Sequence, residues 1–425
     1  MTRVLVTNVY SARNAGDAAI VLGMIDCLRR TPGFEDAEIA LSSADHRGDA
    51  AAYPVPVEPS FHSLKDACRG GPRLRCLYFL KVLAPLSLLW AGAWRLARWD
   101  LPVPRGLRRL LRCYAGSDLV IAAGGGYLYT TSRLHGNVML LIHLHSFRLA
   151  ALLGKPVYLW AQSIGPFAAG YQARMVRLAL RAVRLVEVRE DLSRDLVAGW
   201  ELKVPVREAA DAAFLLPAAE PDADLGLATR GDSPRVGMTV RRWFRDPAQQ
   251  LDYQRTMAAF ADRLVQECNA EVVFVPQVTA VRQHDDDRRA AREVAGLMTR
   301  TDRARVIEDE LSAPQVKWLC GRMDLFVGTR MHSNIFALSL GVPTLAISYQ
   351  PKTDGIMAQL GLGAFVLPIN GLSPGHLWQA FDRLRESAGE VREKLRRVIP
   401  EQTARAELAG RLIAEDLAAL RGGVR

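Results

Sequence analysis

The sequence predicts two doubly wound, Rossmann-like α/β domains facing a cleft, with a helical basic and apolar insertion in the first. Three observations lead there. Short apolar runs alternate with helical stretches of a dozen residues or so, the pattern of βαβ units on a parallel sheet. A stretch rich in Pro, Ala, Asp and Gly, from Pro217 to Pro234, interrupts that alternation, which then restarts. Glycine-rich and polar loops follow the apolar runs, at the carboxyl ends of strands where open α/β sheets bind ligands. A chain of 425 residues, 49% hydrophobic and 24% charged, can bury the cores of two or three domains.

The elements follow in order. Arg3–Thr7 reads as a buried parallel strand, and Ile20, Met24 and Leu28 recur at helical spacing in a helix from about Asp17 to Arg30. Strands are expected at Ala37–Ser42, Asp118–Ala123, Pro156–Ala161 and Leu185–Arg189, with helices at about Val138–Leu152 and Tyr171–Arg184. Beyond the linker the predicted strands are Arg235–Thr239, Glu271–Val275, Arg305–Ile307, Asp324–Val327 and Thr344–Ile347. Helices are expected at Tyr253–Asn269, Ala313–Gly321 and His332–Leu340, and a long charged helix from Gly389 to Leu420 closes the chain. The domain expectation is 1–216, linker 217–234, second domain 235–388 and C-terminal helix 389–425.

Charge is uneven. The net is +10, and Ser63–Cys113 alone holds eleven Lys or Arg against two acids, Asp66 and Asp100. These cations flank an apolar block rather than spreading over a recognition face with polar readers, so no nucleic acid is expected. Within Leu74–Trp99 the uncharged stretch, Val82–Trp94, is 13 residues long. A span needs about 20. Arg73, Arg75 and Lys81 precede it, Arg95 and Arg98 follow it, and Trp90, Trp94 and Trp99 suit a headgroup boundary. The segment is therefore expected on an anionic membrane surface without crossing it; the alternative is a helical hairpin packed on its own domain or a dimer contact. Six scattered cysteines without a CxxC pair fit a reducing compartment, and the first strand at Arg3 argues against a signal peptide. The expected location is cytoplasmic, peripheral on the inner face of the cytoplasmic membrane.

Chemistry-bearing residues collect in the strand-to-helix loops. In Asn8–Asp17, Asn14 and Asp17 offer an amide and a carboxylate, with Asp17 also reading as a helix N-cap. Gly124-Gly125-Gly126 would let backbone amides approach a ligand. Gly328-Thr-Arg330-Met-His332 places two cation-capable side chains at a helix N-terminus, where the backbone favours an anion, and Lys352 follows the next strand. Arg189 is a fourth cation at a strand end, suited to a carboxylate or phosphate, or else to a salt bridge with Glu190 or Asp191. His135, His143 and His145 form a cluster with no acidic or Cys partner at suitable spacing, and no metal site is expected.

Taken together, Asn14-x-Gly16-Asp17, Gly124-Gly125-Gly126, Gln162-Ser-Ile-Gly-Pro166, Val188-Arg189-Glu190, Ala210-Asp-Ala-Ala-Phe214, Arg330-Met331-His332 and Tyr349-Gln-Pro-Lys352 resemble the polysaccharide pyruvyl transferase family. The family's Arg-Leu-His carries Met331 in the middle here, and the basic insertion has no counterpart in its motif pattern. The resemblance implies a two-domain fold of the GT-B glycosyltransferase type. It also implies transfer of the enolpyruvyl unit of phosphoenolpyruvate to a sugar as a cyclic ketal, with no cofactor. By it, Arg189, Arg330 and Lys352 hold phosphoenolpyruvate and His332 is the general acid. The glycan or lipid-linked oligosaccharide acceptor would lie against Asn14, Asp17, Gly125 and Gln162, with Asp17 a base toward its hydroxyl. The competing readings are a GT-B glycosyltransferase or epimerase, which would need a ribose-gripping carboxylate (Glu308 or Asp354), and a non-catalytic membrane-bound glycan-binding protein.

Overall fold

A computed structural model describes residues 1–132, 134–227, 233–280 and 285–422, with the side chains of 134, 135 and 280 left aside. The chain packs as two compact units. The first comprises Met1–Ala12, Ile20–Leu215 and Ala404–Arg425; the second comprises Arg13–Ala19 and Leu216–Thr403. Neither is contiguous. The loop Arg13–Ala19, expected in the first domain, packs with the second unit. The C-terminal helix, Ala388–Gly422, is shared between the two instead of standing apart.

In the first unit the main sheet runs Val57–Pro59, Glu38–Ser43, Arg3–Val9, Leu119–Ala122, Val157–Ile164, Leu185–Val188, Val206–Glu208, every pair parallel. The second unit's sheet runs Ala304–Val306, Glu271–Phe274, Arg235–Thr239, Leu325–Gly328, Thr344–Ser348, Val366–Pro368, also parallel throughout. In both, the order reverses beside the first strand, which pairs with the second strand on one edge and the fourth on the other. Such a reversal opens a crevice at the carboxyl ends of those two strands. The central strands are buried on both faces: Val4, Leu5 and Val6 in one sheet and Val236, Phe326 and Val327 in the other are almost wholly covered. Continuous Val, Ile and Leu runs are what such two-sided burial demands. The short edge strands Val57–Pro59, Val206–Glu208 and Val366–Pro368 lack that signature and were not expected from the sequence.

The insertion is helical. Phe61–Asp66 starts at a Ser60 cap, and a continuous helix then runs Pro72–Ala97, with Arg105–Gly116 following. Phe79–Leu83 is a π turn in the long helix. Pro85 lies just beyond it, and a proline nitrogen cannot donate to the carbonyl four residues back, so the ladder widens by one residue there. Phe79, Leu83, Trp90 and Ala91 from the long helix, with Leu107, Leu110, Leu111 and Tyr114 from the last one, join the first unit's core. One side of the insertion is thus ordinary protein interior.

Candidate functional site

In the second unit the crevice lies between Arg235–Thr239 and Leu325–Gly328, and polar side chains crowd it. Thr239 Oγ1 accepts the amides of Thr329 at 2.9 Å and Arg330 at 3.3 Å, which pins the turn that launches the helix Met331–Ser339. Arg330 is 5% exposed. Its Nε donates to both oxygens of Asp287 at 3.2 Å, and its Nη2 to Asp287 Oδ1 at 2.6 Å and Asp285 Oδ1 at 2.8 Å. Burial pushes the Asp287 carboxyl up; Arg330 and the Val278 amide pull it back. Nη1 is the guanidinium nitrogen that the two aspartates do not hold.

Arg241, from the loop after the first strand of this sheet, sits with its guanidinium carbon 4.4 Å from the centre of the Tyr349 ring. Trp243 lies against the same ring at 4.6 Å. Burial would raise the Tyr349 phenol, but Arg241, Lys352 and Arg330 outweigh it and hold the phenol below its ordinary value. Nearby positive charge favours the ionised phenolate. Arg241, Lys352 and Arg330 are thus all within electrostatic reach of this phenol.

His332 is 7% exposed and packs over Gly16: a Cβ at position 16 would meet His332 Cβ at 2.8 Å and Cγ at 2.5 Å. Glycine is required there for the imidazole to lie where it does. Asn14 organises the rest of that loop. Its Oδ1 accepts Gly16 N at 3.1 Å, its carbonyl accepts Ala18 N at 3.0 Å, and its Nδ2 donates to Asp17 Oδ2 at 2.8 Å. Asn14, not Asp17, is therefore the N-cap of Ala15–Arg30, and Asp17 sits in the first turn. Gln277 ties the pieces together. It donates from Nε2 to Asn14 Oδ1 at 3.2 Å and accepts Ser333 N on Oε1 at 2.7 Å; its own amide donates to Asp287 Oδ2 at 3.1 Å. The Ser333 amide, one of the backbone donors at that helix N-terminus, is thereby taken by Gln277.

Three expected ligand contacts are in the first unit and do different work there. Arg189 is 1% exposed, with Nη1 donating to Asp211 Oδ2 at 2.6 Å, Nε to Ser163 Oγ at 2.8 Å, and Glu190 at 3.5 Å. The salt-bridge alternative describes it better than an open cation does. Gln162 is wholly buried, its amide donating to Tyr127 Oη at 2.9 Å and to the carbonyls of Ala123 and Trp160. Gly125 is not in an open loop: at φ 142° it begins the strand Gly125–Leu128 and pairs with Gln162. Both build the sheet's carboxyl end. His143 bonds to Asn8 at 3.2 Å and Tyr10 at 3.0 Å, and His145 to Ser87 at 2.7 Å. Burial lowers the pKa of both, that of His145 to about 4. The His135 side chain lies outside the described residues, and among those described no group of three His, Cys, Asp or Glu is placed to hold a metal ion.

A family model for polysaccharide pyruvyl transferase matches residues 14–351, from the Asn14 loop to the start of the helix that carries Lys352. The chain belongs to the polysaccharide pyruvyl transferase family. It is 24% identical over 412 residues to the amylovoran biosynthesis protein AmsJ of Erwinia amylovora, covering 94% of this chain and 96% of that one. Among solved structures it resembles a putative UDP-N-acetylglucosamine 2-epimerase from Listeria monocytogenes (TM-score 0.64, 11% identity, 99% and 97% of the two chains). It also resembles the α,α-trehalose 6-phosphate synthase of Burkholderia multivorans (TM-score 0.55, 12% identity, all of both chains). These likenesses are of fold: two Rossmann-like sheets in a GT-B-type chain.

In this pyruvyl transferase family member the residues missed in the sequence are Gln277, Asp285, Asp287 and Arg241, while Tyr349 was read only as part of a motif. Gln277 carried a usable signal, since Val275-Pro-Gln-Val278 directly follows a strand of the second sheet. The competing ribose-gripping carboxylates are otherwise engaged. Glu308 pairs with Arg292 at 2.6 Å, and Asp354 accepts Ser348 Oγ at 2.5 Å. Arg189→Ala should act on the fold. Asp211 is wholly buried and keeps the Ala213 amide, so breaking this buried pair costs about 3–5 kcal/mol. Denaturant unfolding of the variant checks this; an unchanged midpoint would return Arg189 to a ligand-binding role.

Proposed function

We propose that the chain transfers the enolpyruvyl unit of phosphoenolpyruvate to a sugar of a bacterial surface polysaccharide, or of its lipid-linked precursor, leaving a pyruvate ketal and phosphate. Family membership supports a transferase in exopolysaccharide pyruvylation, and the AmsJ likeness points the same way. The observation that carries the donor is that Arg241 and Arg330 share Asp285, with Arg241 4.4 Å from the Tyr349 ring and Lys352 three residues further on, beside the strand end that bears His332. Phosphoenolpyruvate has about three negative charges near neutral pH and needs several cations to hold it.

His332 protonates C3 of the donor, turning the vinyl carbon into a methyl group and making C2 electrophilic. A sugar hydroxyl adds at C2, phosphate departs with its bridging oxygen, and a neighbouring hydroxyl closes the ketal. Of the two hydroxyl protons given up, one balances that placed on C3 and one leaves on phosphate. Asp17, next in sequence to the Gly16 that His332 covers, is the base toward the attacking hydroxyl. Asn14 supports that role by holding the Asp17 carboxylate. The reaction takes place at the inner face of the cytoplasmic membrane.

The test is release of inorganic phosphate from phosphoenolpyruvate in the presence of acceptor glycan, run beside release of UDP from UDP-sugars. Phosphate release alone is expected; UDP release alone would make the protein a nucleotide-sugar enzyme. Lys352→Ala should raise the KM for phosphoenolpyruvate about tenfold or more, a lost charge-assisted contact being worth about 1.5–3 kcal/mol, with little change in kcat. A raised acceptor KM with the donor KM unchanged would move Lys352 to the other substrate.

A further inference from the structure

The long helix of the insertion, Pro72–Ala97, has two unlike sides. Phe79, Leu83, Ser87, Trp90 and Ala91 are buried in the first unit. The other side exposes Leu74, Leu77, Leu80, Leu89 (64%) and Leu96 (90%), with Trp99 (67%) just past the helix end. Arg73, Lys81, Arg95 and Arg98 are exposed along the same stretch, and from Ala67 to Trp99 there is no carboxylate at all. Large exposed apolar side chains in one helical stripe, rimmed by charge of one sign, mark a binding surface rather than scatter.

A second basic feature lies on the next helix of the insertion. On Arg105–Gly116, the side chains Arg105, Arg108, Arg109 and Arg112 line a groove of about 440 Å³. At the start of the same helix, Pro104, Gly106 and Leu107 form, with Leu64, Tyr78 and Leu83, an apolar groove of about 320 Å³. Arg108 and Arg112 share Asp100, and Arg109 pairs with Glu58, so four arginines meet two carboxylates and positive charge is left over.

We propose that the insertion docks on the anionic face of a lipid bilayer. The Leu74–Trp99 stripe enters the headgroup boundary, its cations lie at the phosphate level, and the arginine row takes further lipid phosphates. The helix is long enough to span, at 26 residues, but its far side is packed into the protein core and it carries Lys81 and Arg95. It therefore lies in the interface. A second copy of the chain is a poorer occupant: stripe against stripe would bring cations together with no carboxylate to answer them. Docking makes the substrate a membrane-borne, lipid-linked glycan, a step that rests on the proposed transferase reading.

The test is flotation of the full chain with phosphatidylglycerol-rich vesicles and with pure phosphatidylcholine vesicles. Binding is expected to the former only, and to fall by about tenfold or more as salt shortens the Debye length from about 10 Å to about 3 Å. Leu89→Glu/Leu96→Glu, both on the exposed side, should melt as the wild type does and lose vesicle binding by about tenfold or more. Failure of the wild type to float, or flotation that survives the double substitution, overturns the proposal. So does a dimer in sedimentation that the same substitutions dissolve. Phosphate release with a water-soluble acceptor, measured on the same variants, should be unchanged, so a failure of docking and a failure of the transferase reading give different results.

Discussion

His332→Ala is expected to lower kcat by about 10²–10⁴-fold, the usual scale for a lost general acid. Binding of phosphoenolpyruvate should survive, because the cations that act on Tyr349 are Arg241, Lys352 and Arg330. Histidine is the side-chain type whose charge ordinarily changes near neutral pH. The variant should also fold, since the ring packs over a glycine and its removal opens space there. Kinetics at saturating acceptor, with donor affinity measured separately by calorimetry, decide it. A kcat within about threefold of wild type would remove His332 from the mechanism.

Arg330→Ala should do something different and nearly as large. Asp287 is 2% exposed and its oxygens answer Arg330, so deleting the guanidinium strands a buried carboxylate. Breaking such a pair typically costs about 3–5 kcal/mol. For a unit of this size that is a fall in Tm of about 10 °C. Arg330→Ala/Asp287→Asn should regain part of the loss, because the uncompensated charge goes too. Donor affinity should not return with it, because Nη1 is lost in both variants. Equal melting of the single variant and the wild type would mean that Asp287 is served by the Gln277 and Val278 amides alone.

The architecture was legible because buried parallel strands announce themselves. Arg235–Thr239 and Ala313–Gly321 fall where the sequence puts them, and most other strands and helices agree within a few residues. Edge strands escaped because three half-exposed residues, such as Val366–Pro368, carry no period. The site was legible only where one loop supplies several polar residues, as with Arg330 and His332. Partnerships at long range were not. Gln277 reaches Asn14 from 263 positions away, and nothing local to either residue specifies the other. Arg189 was misjudged for the same reason: its main partner, Asp211, lies outside the local window that suggested Glu190 and Asp191. The Asn14 loop was assigned by chain order, whereas packing assigns it to the second unit.

That interleaving bears on how the protein can be taken apart. The last stretch of the C-terminal helix returns to the first unit, burying Ala406, Ala409 and Ile413. Asp416 there bonds to Tyr158 at 2.8 Å and Arg184 at 2.8 Å. A gene cut at residue 216 would yield a front half missing the helix that seals its core, and a back half missing the loop over which its histidine lies. Recombination between relatives at that linker would mix a sheet from one parent with a closing helix from the other. Neither unit is thus a separable cassette: exchanging the first means transplanting three segments of sequence together, and exchanging the second means transplanting two.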